Sequence, residues 1–306
     1  MPLVNGKIIL DAAREGRFAV GAFNADNMEL VQAILETAQE ERAPVIVQIG
    51  GKTIPYAGMR MMAAIVRTAA AMVDVPVVLH LDHGSGFEQN VQAVAEGFES
   101  LMYDGSRLPY EENVAETARI AAVAHAAGVP LEAELGVVLQ RGADPEAVRA
   151  AMTDPNQAAE FVRRTGCDAL AVAVGSVHQM RGREADLDVA RIAAISRLVR
   201  LPLVLHGASG VKHEYLADAI AAGVAKINVA TYVKEGFTLR LRQVMAANPD
   251  IVDLRQLLGP AREAAKERVR EKMRVFGASG RIGTAGFISR AREFSTPANP
   301  GQEPLE

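Results

Sequence analysis

Eight short apolar runs punctuate this chain: RFAVGAFN (17–24), PVIVQIG (44–50), PVVLHLDH (76–83), ESLMYDGS (99–106), LEAELG (131–136), ALAVAVG (169–175), LPLVLHG (201–207) and VAKINVAT (224–231). Most are apolar at odd and even positions alike. Strands of that kind are covered on both faces, the condition of a parallel sheet. Between them lie helical patterns rich in Ala, Glu, Arg and Leu, such as NMELVQAILETAQEER, FEQNVQAVAEGF, EENVAETARIAAVAHAAG and DPNQAAEFVRRTG. Several of these close on Gly before the next run, as helix-to-strand connections do. Alternation of this kind predicts right-handed crossovers, and eight units favour closure into a ring. After the eighth run, VKEGFTLRLRQVMAANPD and GPAREAAKERVREKMRVFG add two more helices. The pattern therefore predicts an α/β protein, a (β/α)8 TIM barrel with extra C-terminal helices. Residues 1–290 are expected to form a single domain, and 291–306, ending in the Pro-rich STPANPGQEPLE, a disordered tail.

Composition narrows the partners. The 306 residues leave room for one barrel of ~250 residues with some excess. A formal charge of -4 without concentrated Lys/Arg runs argues against nucleic acid, but not against a small anion, which needs only local cations or backbone N–H groups. Cys167 is the lone cysteine, so no internal disulfide can form, and it reads as a packed core thiol. No apolar stretch reaches the ~20 residues of a membrane span, and MPLVNGKIILDAAREG lacks the charged-then-apolar order of a leader. A cytoplasmic location, away from membranes, is the expectation.

Three histidines change the picture. His83 in HLDHG, His178 in VGSVHQ and His206 in LVLHGASG each follow a β-branched apolar stretch. The carboxyl ends of parallel strands are where such folds bind ligands. Imidazoles distant in sequence can converge there on one divalent ion, with a position left open to water or substrate.

The ordered motifs AFNADNME, HLDHGS, YDGSRLPYEENV, EAELG, AVAVGSVH, LVLHGASG, KINVAT, LGPAREA and GASGRI, from about Ile8 to about Gly283, resemble those of the class II, metal-dependent fructose-bisphosphate and tagatose-bisphosphate aldolases. The resemblance implies that His83, His178 and His206 hold Zn2+, and that Glu134 ligates the metal in some states and moves aside in others. It makes Asp82 the acid/base for the C4 hydroxyl proton, although Asp82 also has a plainer reading, orienting a histidine. Aldol cleavage leaves an enediolate, whose charge a zinc ion holding both oxygens would stabilise. Gly207, Ser209, Asn228 and Thr231 would hold one phosphate of a sugar-phosphate substrate at loops that commonly bind phosphate. Arg281 would reach the far phosphate from a neighbouring subunit, so a homodimer or homotetramer is expected. Asn24 would touch substrate, and Asp104 would line the site and could meet a second cation. The products would be dihydroxyacetone phosphate and an aldehyde such as glyceraldehyde 3-phosphate.

Other residues have quieter readings. His80 is taken as supporting or structural, His125 in a helical stretch and His213 in a loop as surface or packing histidines, and Glu132 as a hydrogen-bond acceptor beside the site. Four positions depart from the family pattern. Gly50 stands where a Ser is usual, with Thr53 as a possible substitute. Gln179 stands where a Gly is usual, which unsettles a backbone contact to phosphate or a monovalent cation. VVLQRGADPEAV replaces an acidic loop segment, leaving Asp144 or Glu146 as candidate proton carriers. Arg107 replaces a His. Ala230 matches the tagatose-type branch. The same chemistry on a deoxy, oxidised or sulfonated sugar phosphate, a non-catalytic sugar-phosphate binder, and a Schiff-base enzyme using Lys226 are the competing readings.

Overall fold

The computed structural model describes residues 3–178 and 186–283. The chain starts with α1 (Gly6–Gly16), β1 (Val20–Asn24), α2 (Met28–Glu41), β2 (Val45–Gly50), α3 (Thr53–Ala57), α4 (Met59–Ala70) and β3 (Val77–Gly84). It continues through α5 (Phe87–Ala95), β4 (Ser100–Tyr103), α6 (Tyr110–Ala126), β5 (Leu131–Leu135), α7 (Pro145–Ala150), α8 (Pro155–Thr165) and β6 (Ala169–Val172). It ends with α9 (Val189–Val199), β7 (Leu203–Leu205), α10 (His213–Ala222), β8 (Val224–Val229), α11 (Thr231–Ala247) and α12 (Leu254–Val275). The eight strands form a closed parallel barrel in sequence order, with β1 pairing to both β2 and β8. This is the (β/α)8 barrel that the run pattern predicts, and each expected run contains one strand.

Local chemistry sets the element ends. Asn27 caps α2 through its side chain to the Leu30 N–H, and Asp154 caps α8 with Pro155 at the first helical position. Segment 4–6 is tied to the amino-terminal ends of β3 and β4: the Val4 N–H donates to the Val77 carbonyl at 2.9 Å and the Gly6 N–H to the Glu99 carbonyl at 3.0 Å. That anchors α1 at the barrel end opposite the site. The additional helices α11 and α12 pack on each other, and α12 also lies on α2. Lys266 bridges Glu36 and Glu40 at 3.2 and 2.7 Å, and Arg274 reaches Glu41 at 2.7 Å, so charge as well as apolar area fastens α12 to α2.

Two expectations need correction. The run ALAVAVG gives a strand only to Val172, so His178 lies six residues past β6 rather than at its end. His213 is the first residue of α10, not part of a loop, and its Nε2 lies 3.3 Å from Glu271 Oε1 on α12. The tail expected at 291–306 lies outside the described residues.

Candidate metal centre and active site

His83 reaches the barrel mouth because β3 breaks its register there. Pairing with β4 shifts between Leu81 and Gly84, and His83 takes φ +50°, a left-handed conformation unusual for a non-glycine residue. Gly84 permits the bulge, since a Cβ on it would meet the Met102 carbonyl oxygen at 2.5 Å. His206 follows β7 directly, and Gly207 at φ +68° lets that loop close against the loop of His178. A Cβ there would lie 2.7 Å from the Val177 oxygen. The imidazoles of His83, His178 and His206 thus converge, their ligand nitrogens all within 4.8 Å of one another.

The hydrogen bonds behind these rings decide which nitrogen faces inward. His83 Nδ1 is 2.8 Å from Asp104 Oδ2, and His206 Nε2 is 2.9 Å from Glu132 Oε1. A carboxylate only accepts, so each of those nitrogens carries the proton in the neutral ring. The remaining lone pairs, on His83 Nε2 and His206 Nδ1, then face each other 3.1 Å apart. Two lone pairs at that distance repel unless a cation lies between them. Without a metal a proton fills the role: burial opposes charge on His83, but Asp82, Asp104 and Glu134 outweigh it and push its pKa to about 10. Burial, together with the charges of His206 and His83, lowers His178 to about 4, so its lone pair is free at neutral pH. Among the described residues, buried acceptors without a hydrogen-bond partner gather nearby at Glu134 Oε2, Asn228 Oδ1 and Gln48 Oε1. A nitrogen-rich set of neutral imidazoles with a carboxylate beside it fits a divalent ion of the zinc type.

Beneath the histidines lies a buried ionic network. Lys226 Nζ on β8 is 2.7 Å from Glu132 Oε2 and 3.3 Å from His80 Nε2, while His80 Nδ1 is 2.9 Å from Ser100 Oγ. Burial and the Lys226 charge lower His80 to about 3, so it stays neutral and accepts from the ammonium. Burial alone would raise Glu132, but Lys226 and the His206 hydrogen bond carry it far below the carboxylate range. His80 and Glu132 therefore have the supporting places expected of them. Lys226 was visible in the sequence as the lone cation in an apolar run, yet it does not line the cavity and is held by Glu132, which removes support for a Schiff-base role.

Asp82 receives three amide N–H groups: Asn24 Nδ2 at 2.7 Å, Gln48 Nε2 at 3.2 Å and Asn228 Nδ2 at 3.3 Å. Burial raises its pKa, but the charges of His83 and Lys226 and the hydrogen bond from Asn24 more than offset this and hold it below the usual carboxylate value. Glu134 differs: burial, reinforced by Asp104, raises it to about 8. His83, Asp104 and Glu134 form a second group able to hold a cation, sharing His83 with the first. A cavity of about 640 Å³ opens above these groups. It is lined by Asn24, Asp82, His83, Asp104, Glu134, His178, His206, Gly207, Ser209, Asn228 and Thr231. Every expected site residue except Arg281 is therefore brought to one place, on loops and strand ends up to 207 positions apart (231 − 24).

The sequence of this chain matches the family model "Fructose-bisphosphate aldolase class-II" over residues 4–281. This chain belongs to the class-II fructose-bisphosphate aldolase family. It is 44% identical over 282 residues to the "Probable fructose-bisphosphate aldolase" of Bacillus subtilis, covering 91% of this chain and 99% of that one. It is 42% identical over 286 residues to the fructose-bisphosphate aldolase of Geobacillus stearothermophilus, covering 92% and 99%. Among solved structures, the YdjI aldolase of Escherichia coli K12 superposes with a TM-score of 0.80 at 34% identity, covering 92% of this chain and 99% of that one.

Within this class II aldolase the departures have physical consequences. A Cβ at Gly50 would lie 3.2 Å from Asp82 Oδ2 and 3.3 Å from Asn24 Nδ2, so glycine leaves space beside that pair. Thr53 does not offer a free hydroxyl in exchange, because Oγ1 donates to Asp26 Oδ1 at 2.5 Å while Lys234 pairs with Asp26 Oδ2 at 2.5 Å. Asp144 caps α7, accepting from the Ala147 N–H, and Glu146 is exposed. Neither lines the cavity; Val137, Val138, Gln140 and Arg141 do, so this loop brings no acid to the aldolase site. Arg281 folds over the Phe18 ring at 4.9 Å and donates to the Gly277 carbonyl, away from its own cavity. Gln179 lies outside the described residues, among which no helix is long and apolar enough to cross a membrane.

Proposed function

We propose that this aldolase is zinc-dependent and reversibly cleaves a ketose 1,6-bisphosphate, fructose 1,6-bisphosphate by default, to dihydroxyacetone phosphate and glyceraldehyde 3-phosphate. The observation that carries the reading is the pair of facing imidazole lone pairs on His83 and His206, with His178 alongside and ionised Asp82 at the same cavity wall. When bound, the divalent ion supplies a Lewis acid that draws electron density from the substrate oxygens.

The chain supplies the proton chemistry. Asp82, held by three amides, takes the C4 hydroxyl proton. The C4–O electrons close the aldehyde carbonyl as the C3–C4 bond breaks, and that bond's electron pair stays on C3 until a proton arrives there. Asn24 shares the Asp82 carboxylate and stands where substrate hydroxyls enter. Gly207, Ser209, Asn228 and Thr231 receive the phosphate of the ketone half; Thr231 opens the 17-residue α11, whose first N–H groups are unpaired within the helix. Arg281, turned away from its own cavity, serves the far phosphate of an adjoining copy, which makes the working enzyme a homodimer or homotetramer.

The deciding experiment measures dihydroxyacetone phosphate release from fructose and tagatose 1,6-bisphosphates by purified protein, before and after chelation and zinc restoration. Release that vanishes on chelation and returns with zinc is expected. Asp82→Asn should keep its zinc yet lose roughly 10²–10⁴ in kcat, the usual worth of a positioned acid/base. Zinc-loaded, folded protein inert on both substrates would refute the reading.

A further inference from the structure

Among the described residues, two guanidinium groups line the cavity without an acid partner. Arg107 follows β4 and Arg141 follows β5; both line the cavity and are exposed, and neither side chain has an ion-pair or hydrogen-bond partner among the described residues. The neighbouring cation Lys234 is neutralised by Asp26. Lys52, after β2, offers a single ammonium, whereas guanidinium forks match two oxygens of a carboxylate or phosphate at once.

Their placement in the ring gives these arginines a direction. β4 is the fourth strand from β8 whichever way the closed barrel is followed, and β5 is its neighbour. The end of β8 and the segments that follow β7 and β8 carry Gly207, Ser209, Asn228 and Thr231, proposed above for the ketone-half phosphate. A linear substrate fixed there and passing the histidines extends its other end toward the β4 and β5 side.

Neither arginine rides on a free loop. The His178 N–H donates to the Leu139 carbonyl at 2.8 Å and the Arg141 N–H to the His178 carbonyl at 3.0 Å, a short parallel bridge between Gln140 and His178. Arg141 is thereby indexed to one metal-binding histidine. Ser106, next to Arg107, donates from its N–H and hydroxyl to Asp104 Oδ1 at 3.1 and 2.7 Å, and Asp104 holds His83. Both cations are thus registered to the groups that fix the reacting centre.

Resting on the aldolase reading above, we infer that Arg107 and Arg141, beside the Arg281 supplied by the adjoining copy, form this chain's own side of an oxyanion subsite that selects an aldehyde fragment ending in phosphate or carboxylate. The test runs the reaction in the condensation direction, with dihydroxyacetone phosphate as donor and three acceptors: glyceraldehyde 3-phosphate, tartronate semialdehyde and uncharged glyceraldehyde. Wild type should favour a charged acceptor, and Arg107→Ala and Arg141→Ala should each reduce that preference about tenfold through KM, the scale of one lost charge-assisted contact. Lys52→Ala should keep it. Whichever charged acceptor loses more identifies phosphate or carboxylate as the selected group. Equal losses on charged and neutral acceptors, no charge preference in wild type, or loss of preference in Lys52→Ala instead would each overturn the subsite. Solvent deuterium exchange into dihydroxyacetone phosphate without acceptor separates the two levels: exchange without charge preference sinks the subsite alone, and no exchange sinks the aldolase reading with it.

Discussion

Lys226 and Glu132 are almost wholly shielded from solvent inside a barrel whose other walls are largely apolar. Two buried charges persist because each cancels the other and because Glu132 also accepts from His206. Glu132→Gln would leave the ammonium without a counter-charge and His206 without a fixed tautomer. It should lower stability by about 3–5 kcal/mol in equilibrium denaturation. It should also weaken zinc roughly 10–100-fold in a chelator competition, the usual effect of losing an outer partner of a metal ligand. A second residue tests burial itself. Burial lifts the Cys167 thiol from 9.0 to about 12, so the folded chain disfavours the thiolate. Its contribution to stability is intact below pH 9.0 and is lost as pH rises toward 12. A disulfide reagent at pH 8 should find no reactive thiol in native protein and one equivalent after unfolding.

Elements meet at the site through backbone, and small residues set how closely. The His206 loop packs against Val177 because Gly207 has no Cβ and holds a left-handed φ. Gly207→Ala should cost about 1–3 kcal/mol of backbone strain. It should also spread the His178 and His206 loops, seen as weaker zinc binding with an unchanged far-ultraviolet spectrum. On the outer face, Glu41 accepts from Arg274 and Ser279 and lies beside Arg270, although its side chain is only 9% exposed. These bonds join the end of α2 to α12 and the segment carrying Arg281. The α2 and α12 helices are thereby part of the route by which Arg281 is oriented.

At the scale of the molecule, a metal held by His83, His178 and His206 would tie β3, the segment after β6, and the end of β7 into one unit. A ligand bound only by the folded chain adds stability by mass action, about 2.7 kcal/mol at a hundredfold excess over Kd. Chelation should therefore lower Tm, zinc should restore it, and His178→Ala should show little response to either. A Tm indifferent to zinc in wild type would contradict a three-histidine site.

The sequence by itself determined the barrel, because a strand covered on both faces must be apolar at consecutive positions, and that requirement is written residue by residue. It also marked His83, His178 and His206, since polar residues following apolar runs are costly unless they meet something, while Asp82 and Glu134 stood out only through their resemblance to the aldolase motifs. Tertiary structure decided what they meet. His178 sits six residues beyond its strand and is placed by backbone bonds to Leu139 and Arg141. Lys226 and Glu132 pair across 94 positions of sequence. Thr53 and Asp144 have the chemistry of site residues, but one hydroxyl is taken by Asp26 and one carboxylate caps a helix. Arg107 was legible in the sequence as a cation standing in for a histidine near the substrate entrance, but Arg141 looks like an ordinary surface cation until ring closure sets β4 and β5 across from β8. Strand formation follows from local burial, whereas each of these assignments depends on barrel register and loop closure, which bring together groups with no mutual trace in the order of residues.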